Sequence, residues 1–390
     1  MKGMAAQREP EGGVADERRR FGIEEEYLLL DETSGRPVDS AAELVRSASA
    51  LGEKAEREFL SSQVESSTPV CRTAVEAEAA LGAFRSAVSS AAVDHGLVLA
   101  GTGLPPVGGD TAGTVTPRPR YLAIEAGVRD VGAHQFSTGL HVHVEVPSRD
   151  AGVDALARLA RWAPALLAMT ANSPFWCGSP TGFASWRHIK GLAWPLGGYP
   201  PPFADGDDYT RTIETLVGSG VLIDSRMTTW VARLSENYPT LELRIADAQL
   251  EARDSVAFAV LVRALVDRCL SKAAEGVPAP RFAPGLVNGA IWMAARDGMS
   301  ASVIDPLTAE PLPAFGMVET MICTVGPELE RFGDLDRVER YVDRLRREGT
   351  PAQRQLERFA ENGVSGLIGL YRSGSASVPG ADMASAADPM

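Results

Sequence analysis

Apolar and polar residues alternate along several short stretches of the chain, as they do in β-strands with one buried face. Longer segments between them repeat apolar residues at the spacing of amphipathic helices, and no repeat of fixed period is present. This mixture predicts a single α+β domain. The predicted strands are Phe21–Asp31, Leu60–Thr68, Leu97–Gly101, Gly139–Val146 and Thr240–Asp247. The predicted helices are Thr73–Asp94, Val153–Ala171, Ser255–Ala274, Val287–Arg296, Phe315–Val325, Val338–Arg347 and one that begins at Pro351 with Thr350 as its N-cap.

Two stretches match neither pattern and are predicted to be long loops. Gly101–Pro119 is rich in glycine, proline and threonine, whereas Asn172–Phe203 combines glycine and proline with tryptophan and tyrosine. Loops of this length inside a compact domain are usually functional or disordered. The aromatic residues favour order for the second loop, which we expect to contribute to a site.

The two ends of the chain lack the pattern of a folded segment. Residues 1–20 are polar and charged, without the apolar stretch of a secretory signal, and residues 373–390 are rich in small residues and proline. We expect both ends to be disordered and residues 21–372 to form one catalytic domain. No apolar run is long enough to span a bilayer, which predicts a cytoplasmic protein without a membrane partner.

The net charge and the cysteine content argue against certain partners and metal sites. The net charge of −13 repels phosphate backbones and anionic membranes, so we expect no nucleic-acid partner. Any anionic substrate must then be held by local cations. The four cysteines lie far apart and form no CxxC pair, which argues against a zinc knuckle and fits reduced cytosolic thiols.

Carboxylate and imidazole groups share one face of several predicted strands. Side chains two residues apart lie on the same face of a strand, so the alternation separates the two faces. In the first strand, Glu24 and Glu26 lie opposite the apolar side chains. In the fourth strand, valines fill one face and leave His141 and His143 on the other, beside Glu145. The same layout recurs in the second and fifth strands, where the polar faces carry Glu65, Glu242 and Arg244.

A sheet that brings these faces together predicts a divalent metal site. Carboxylates that converge on a partly dehydrated surface raise one another's pKa unless a cation lies between them. Oxygen-rich ligation selects Mg²⁺ or Mn²⁺, and an imidazole shifts the preference somewhat toward Mn²⁺. The alternative is a sheet whose outer face is simply solvated. The absence of lysine from these faces favours the metal site, while a structural role stays open for either histidine alone.

These residues lie in motifs that resemble the type 2 glutamate–cysteine ligase family, also called carboxylate–amine ligases, of the glutamine-synthetase-like fold superfamily. The resemblance runs from Phe21 to about Tyr371. No single motif decides it, but their order and spacing together are specific. The motifs are FGIEEEYLLLD with GRPV, SQVESSTPVC, RPRY, TGLHVHVEVP, LLAMTANSPFWCGSPTGFASWR, YPTLELRIAD and REGTPAQRQ.

The resemblance implies a curved, mostly antiparallel sheet of the glutamine synthetase and guanido kinase type. Helices would pack on one face, and the concave face would hold divalent metals between ATP and the acid substrate. Position by position, His143 is implied as a group that contacts the substrate or supports the ligands. The implied metal ligands are Glu24, Glu26, Glu65, His141 and Glu242, which is the set that alternation alone places on one face.

Arginines are the second requirement, because triphosphate and a substrate carboxylate must be bound in an acidic protein. Guanidinium groups offer paired planar donors to such oxyanions. The resemblance implies that Arg187 and Arg244 contact phosphate or the acid as catalytic and ATP-binding residues. Arg120 is a weaker candidate for the same role. Arg233 is a further candidate for ATP binding, and a surface salt bridge is its alternative.

The chain departs from the family pattern at three places. Relatives usually carry an aspartate and a proline around the arginine that matches Arg233, and both are missing here. Many relatives have a histidine where this chain has Gly103. Glu145 stands where glycine is more frequent, and a solvated strand end explains it better than a change in the acid pocket.

The function implied by the resemblance is ATP-dependent ligation of a carboxylate, with glutamate expected, to an amine, with cysteine as one candidate. Because carboxylate oxygen is a poor leaving group, ATP would first convert the acid to an acyl-phosphate, and the amine would then displace phosphate. ATP with Mg²⁺ or Mn²⁺ and small-molecule substrates are the expected partners, and a homodimer stays open. The alternatives are a guanidino phosphotransferase of the same superfamily and a non-catalytic protein that binds metal or nucleotide.

Overall fold

We describe the protein from a computed structural model, which covers residues 18–50 and 55–376. The strands are β1 (Phe21–Asp31), β2 (Ala55–Arg57), β3 (Gln63–Ser67), β4 (Leu97–Ala100), β5 (Gly139–Glu145), β6 (Phe175–Trp176), β7 (Ser179–Pro180), β8 (Ala232–Leu234), β9 (Thr240–Asp247), β10 (Ser302–Asp305) and β11 (Glu310–Pro313). The helices are α1 (Ala41–Ala50), α2 (Ala74–Val93), α3 (Pro119–Val128), α4 (Asp130–Ala133), α5 (Arg149–Leu159), α6 (Ala163–Thr170), α7 (Trp186–Gly191), α8 (Gly206–Gly218), α9 (Ala252–Ala274), α10 (Pro284–Asp297), α11 (Ala314–Phe332), α12 (Leu335–Glu348) and α13 (Pro351–Ser375).

The main sheet has the strand order β2-β3-β1-β5-β9-β8, and β4 pairs with the end of β1. All of these pairs are antiparallel. Helices α5, α6 and α9 contact the central strands. The apolar face of the sheet joins them in the largest hydrophobic core, with side chains such as Ile23, Val142, Leu243 and Val256. The predicted α+β class with a mostly antiparallel sheet is therefore confirmed.

Most predicted elements are present, but one predicted helix is divided. β1 and β9 match their predicted bounds, and Thr350 caps α13 in a capping box with Gln353. The predicted helix Val153–Ala171 is interrupted by a turn and forms α5 and α6. Pro164 lies in the first turn of α6, where its missing N–H is tolerated, so it marks a new helix start.

Several elements were not expected from the sequence. They include α1, α3, α8 and the hairpin of β10 with β11. Helix α8 carries Tyr209, Ile213, Leu216 and Val217 at helical spacing on the side that packs against the core, so its pattern was present in the sequence although no helix was predicted there. The aromatic loop Asn172–Phe203 is ordered and contains the hairpin of β6 with β7 and the helix α7.

The predicted disorder at the two ends concerns mostly residues outside the described ranges. Within the ranges, Arg20 donates from Nε to Glu145 Oε2 at 3.0 Å. Helix α13 continues beyond residue 372 to Ser375, which is buried and donates to the carbonyl oxygen of Leu99 at 2.7 Å. The folded region therefore extends past the predicted boundary. Across the described helices, none combines the length and apolar character that a bilayer crossing requires.

Glu25 of β1 faces the helices instead of the polar side of the sheet, and it is completely buried. Its carboxylate accepts hydrogen bonds from Tyr27 Oη at 2.7 Å, Arg85 Nη2 at 2.8 Å and Ser255 Oγ at 2.8 Å. Arg85 extends from α2 and donates to two further backbone carbonyl groups. The buried ion pair therefore connects β1 to α2 and α9 with its donors and acceptors satisfied.

Replacing Arg85 with leucine should destabilise the fold, because it leaves the Glu25 carboxylate buried without its counter-charge. Breaking a buried pair from one side usually lowers the free energy of unfolding by about 3–5 kcal/mol. Urea denaturation followed by circular dichroism measures the change. Arg36→Leu is the control, since it removes an exposed pair with Asp110 and should cost about 0–1 kcal/mol. A similar small loss for Arg85→Leu would contradict the structural role.

Candidate active site

The strand register brings the predicted acids and imidazoles together on the polar face of the sheet. Glu24 of β1 lies opposite His141 of β5. Glu26 lies opposite Glu65 of β3. On the other side of β5, His143 lies opposite Glu242 of β9. Directly opposed residues of an antiparallel pair point to the same side of the sheet, so alternation and pairing converge on one cluster.

Two overlapping groups in this cluster have the spacing of metal ligands. Glu24, Glu65 and His141 each offer a ligand atom within 4.8 Å of the others, and so do Glu24, His143 and Glu242. His143 was expected behind the ligands, but its Nε2 lies 3.4 Å from Glu24 Oε2 and 3.9 Å from Glu242 Oε1. It is therefore placed as favourably as His141.

The buried imidazole atoms indicate that a cation fits here. Nε2 of His141 and Nε2 of His143 are both buried, and neither has a hydrogen-bond partner within the described ranges. Such atoms cost free energy unless a ligand satisfies them. Burial and the nearby Arg244 lower the pKa of His141 to about 3, so its ring is neutral and can offer a lone pair. The carboxylate-rich donor set fits Mg²⁺ or Mn²⁺.

Glu58 belongs to the same cluster, although the sequence did not indicate it. Its carboxylate accepts a hydrogen bond from Tyr121 Oη at 3.0 Å. Burial and the charge of Glu58 raise the pKa of Glu26 to about 7, and the same two causes raise the pKa of Glu65 well above its ordinary value. Three carboxylates are thus held together against their repulsion, which a bound cation would relieve.

No sequence signal identifies Glu58, because it follows β2 at the start of a turn where alternation cannot be read. β2 itself has only three residues. The turn returns the chain into β3, so that Glu58 reaches Glu26 and Glu65 from outside the strand pattern. Thr116 Oγ1 donates a hydrogen bond to the backbone carbonyl oxygen of Glu58 at 2.6 Å. This contact holds the turn against the loop Gly101–Pro119.

Arg233 and Arg244 hold Glu242 between them. Arg233 donates to both carboxylate oxygens, at 2.7 Å from Nε and 3.1 Å from Nη2, and its Nη1 donates to two backbone carbonyls. Arg244 contacts Glu242 Oε1 and lies 3.3 Å from His141 Nδ1. Arg233 therefore orients Glu242, with its donors already engaged, even though the flanking aspartate and proline of the family are missing. Arg244 also faces the adjacent cavity.

Arg187 approaches the cluster from α7 and is positioned by Asp247. Its Nη1 lies 3.6 Å from Asp247 Oδ1, and its Nε is buried without a partner within the described residues. The buried Asp247 carboxylate accepts hydrogen bonds from Ser173 Oγ at 2.7 Å and Ser185 Oγ at 3.0 Å. A Cβ at Gly139 would lie 2.2 Å from Arg187 Nη2, so glycine is needed there for the arginine to reach the site.

Two departures from the family pattern have a physical explanation in the fold. A Cβ at Gly103 would lie 2.7 Å from Asp247 Cγ, so a histidine cannot fit where Asp247 is placed. Glu145 pairs with Arg20 at the end of β5, which agrees with a strand end outside the cluster. Arg120 reaches the cavity but is engaged with Asp224, at 2.7 Å and 3.0 Å, and this pair connects α3 to the segment after α8.

A cavity of about 220 Å³ opens beside the cluster. Its ionisable lining includes acids, an imidazole and four arginines: Glu26, Glu58, His141, Arg120, Arg187, Arg226 and Arg244. Helices α3 and α7 and the chain before β8 supply much of the remaining wall. The arrangement can bind a cation and an oxyanion side by side, as phosphoryl transfer requires.

Comparison with known proteins identifies relatives over nearly the whole chain. The family model described as glutamate–cysteine ligase family 2 matches residues 20–372. A Saccharopolyspora erythraea protein, provisionally named glutamate–cysteine ligase 2-2, is 36% identical over 378 residues, which are 95% of this chain and 95% of that protein. A Salinispora tropica protein, provisionally named glutamate–cysteine ligase 2, is 38% identical over 336 residues, covering 86% of this chain and 89% of its own length.

Solved structures with the same fold are more distant in sequence. A glutamate–cysteine ligase of Francisella tularensis, solved in complex with AMP, aligns with a TM-score of 0.65 at 12% identity over 92% of this chain and 88% of its own. A bifunctional glutathione synthetase of Pasteurella multocida aligns with a TM-score of 0.62 at 14% identity over 92% of this chain and 53% of its own. At these identities the likeness establishes the fold.

Proposed function

Because the chain belongs to glutamate–cysteine ligase family 2, we propose that it uses ATP to join the side-chain carboxylate of glutamate to the amino group of cysteine. The products would be γ-glutamylcysteine, ADP and phosphate. The carboxylate and imidazole cluster, with its unpartnered buried nitrogen atoms, is the observation that carries this proposal. The choice of glutamate and cysteine rests on the names of the relatives.

The residues of the cluster would hold Mg²⁺ or Mn²⁺. The ligands would be Glu24, Glu65 and His141 in one group and Glu24, His143 and Glu242 in the other, with Glu26 and Glu58 beside them. When bound there, the metal would neutralise triphosphate charge and help to align the transferred phosphoryl group.

The arginines would act on the oxyanions. Arg187 and Arg244 both line the cavity, where their guanidinium groups can neutralise phosphate oxygens and the charge that develops during transfer. Arg233 donates to the Glu242 carboxylate and keeps it oriented. Asp247 orients Arg187 through its ion pair with the guanidinium group. The cluster therefore has both oxygen donors for cations and cationic donors for oxyanions, with each group fixed by a buried neighbour.

The reaction would proceed in two displacements. A carboxylate oxygen of glutamate attacks the γ-phosphorus of ATP, the bond from phosphorus to the β-phosphate oxygen breaks, and ADP leaves. The amino nitrogen of cysteine, after losing a proton, then attacks the acyl carbon of the acyl-phosphate. The carbon–oxygen bond breaks, and phosphate leaves with the oxygen that came from the carboxylate.

Isotope transfer is the direct test of this pathway. Glutamate labelled with ¹⁸O in its side-chain carboxylate should transfer one labelled oxygen to inorganic phosphate during amide formation, which mass spectrometry of the phosphate measures. Hydroxylamine should replace cysteine and give a hydroxamate, because it attacks the same acyl-phosphate. Unlabelled phosphate from a productive pair of substrates would contradict the acyl-phosphate and point to another route, such as an adenylate.

The same assay separates the alternative functions. A guanidino phosphotransferase would release ADP only with a guanidino acceptor and would form no amide, and a binding protein would release no ADP at all. Small-molecule substrates follow from membership of a ligase family. The cytoplasmic location, the homodimer and the absence of a nucleic-acid partner stay predictions from the sequence.

A further inference from the structure

A second pocket adjoins the active-site cavity and has no role in the proposed reaction. We name it the indole pocket, after Trp176 and Trp186, which line it together with His134, Gln135 and Lys190. Its volume is about 430 Å³. Trp176 belongs to β6 and Trp186 begins α7, so the aromatic loop of the sequence supplies half of the residues that line this pocket.

The indole pocket adjoins the active-site cavity at one shared lining residue. Gln135 lines both the indole pocket and the active-site cavity, and its side-chain oxygen accepts a hydrogen bond from Trp194 Nε1 at 3.0 Å. On α7, Trp186 directly precedes Arg187, and Lys190 follows Arg187 by about one helical turn. A substrate whose reacting group lies beside Arg187 can therefore extend into the indole pocket.

Lys190 gives the indole pocket a cation that is available to a ligand. Its ammonium nitrogen lies 4.1 Å from the ring centroid of Trp176, and no carboxylate in the described ranges forms an ion pair with it. By contrast, Lys272 on α9 pairs with Glu275 at 2.6 Å. Lys190 and Lys272 are the lysines of the part of the chain that the structure describes, and Lys190 is the one without an acidic partner there.

The other polar groups of the indole pocket are engaged with the protein. His134 Nδ1 lies 2.9 Å from the carbonyl oxygen of Gly109, and its Nε2 lies 3.6 Å from Asp130 Oδ1. Asp130 is almost fully exposed at the pocket rim. The interior thus combines one free ammonium group with two indole surfaces, which suits a small anion that has an apolar part.

We propose that the indole pocket binds the amine substrate, and that this substrate is an amino acid or short peptide whose carboxylate pairs with Lys190. Its apolar part would pack against Trp176 and Trp186, while its amino group points toward Arg187 and the acyl carbon. The proposal rests on the ligase function proposed above. A nucleotide base could also stack on indoles, but it brings no negative charge to Lys190, and its phosphates belong at the carboxylate cluster.

The test compares amines that differ only in the carboxylate. L-cysteine is paired with cysteamine, and L-phenylalanine with phenethylamine, as acceptors for glutamate and ATP. Wild-type protein should prefer the carboxylate-bearing amine of a pair by at least about tenfold in kcat/KM, the usual effect of a charge-assisted hydrogen bond. Lys190→Met removes the charge and keeps the apolar stem, so this preference should fall to about one. Lys190→Arg should retain most of it, and Lys272→Met is the matched control that should retain all.

Hydroxamate formation separates the failure of this proposal from failure of the ligase function. Hydroxylamine is too small to need the indole pocket, so Lys190→Met should form the hydroxamate at the wild-type rate, which also shows that it is folded. If the protein does not join a given amine to glutamate, the binding of that amine is measured by how strongly it inhibits hydroxamate formation.

Three outcomes would overturn the assignment of the indole pocket while hydroxamate is formed. They are equal use of both members of each pair by wild type, an unchanged preference in Lys190→Met, and a raised KM for ATP instead of the amine. Absence of hydroxamate from wild-type protein would overturn the ligase function itself.

Discussion

Replacing Glu26 with glutamine is expected to abolish metal-dependent ADP release while the protein stays folded. Glu26 lines the cavity, lies opposite Glu65, and accepts a hydrogen bond from the Gly139 backbone N–H at 2.7 Å. The substitution removes one charge with little change of volume. Losing several kcal/mol of charge stabilisation in phosphoryl transfer corresponds to a loss in kcat of about a thousandfold. A coupled assay of ADP release with glutamate, an amine and Mg²⁺ or Mn²⁺ measures it.

Thermal unfolding provides a second measurement of the same variant that does not depend on activity. The folded-state pKa of Glu26 is raised to about 7, mainly by burial, so ionising it in metal-free protein costs stability as the pH rises toward and through that value. At pH 8, Glu26→Gln should therefore unfold at the same or a higher temperature than wild type when metal is removed by EDTA. The stabilisation that added Mn²⁺ gives the wild type should be reduced in the variant.

Glu145→Gln is the matched control for Glu26→Gln. Glu145 lies on the same polar side of β5 as His141 and His143, but it pairs with Arg20 outside the cluster. Its replacement should leave both ADP release and the metal-dependent stabilisation as in wild type. Turnover of Glu26→Gln within about twofold of wild type, or full wild-type turnover in EDTA, would contradict the metal site.

The sequence predicts the metal cluster because regular strands carry it. A period of two residues decides which side chains share a face, and the registers of β1, β3, β5 and β9 then place those faces side by side. The expected ligands thus follow from local pattern together with the family resemblance. Two assignments differ from the geometry: Glu26, an implied ligand, lies beside the two ligand groups, and His143, expected behind the ligands, lies in one of them. Alternation groups residues on a face but cannot distinguish a ligand from a neighbouring group.

The residues that the sequence did not indicate act through turns and loops. Glu58 enters the cluster from a turn, and Lys190 enters the indole pocket from a short helix inside an aromatic loop. Asp247 ends β9 opposite Gly139, beyond a register shift that brings it to the same side of the sheet as Glu242, where simple alternation would not place it. The loop after α6 then folds back onto its carboxylate. Such contacts depend on tertiary packing, for which a single sequence has no periodic signal.

Arg187 depends on both the sequence and the tertiary packing. The family resemblance indicates it as a site residue, and the loops determine its position. Ser185 caps α7, and its hydroxyl group also donates to Asp247, so the start of the helix is fixed directly before Arg187. Arg187 Nη2 donates to the backbone carbonyl oxygen of Arg244 at 3.3 Å. The missing side chain of Gly139 leaves room for the guanidinium group. Its planar donors therefore have a defined direction toward the cavity.

Arg187→Lys is expected to lower kcat/KM for ligation by about tenfold to a hundredfold, although it retains the positive charge. A lysine ammonium cannot reproduce two coplanar donors, and losing one charge-assisted hydrogen bond to an oxyanion costs about 1.5–3 kcal/mol. Steady-state kinetics with glutamate, cysteine and ATP measures the loss, and hydroxamate formation should fall in parallel because phosphoryl transfer precedes the amine. Arg211→Lys on α8, where the arginine is exposed, is the matched control and should behave as wild type. If both kcat and KM of Arg187→Lys stay within about twofold of wild type, Arg187 does not contact the reacting groups, and the oxyanion contacts must be reassigned to Arg244.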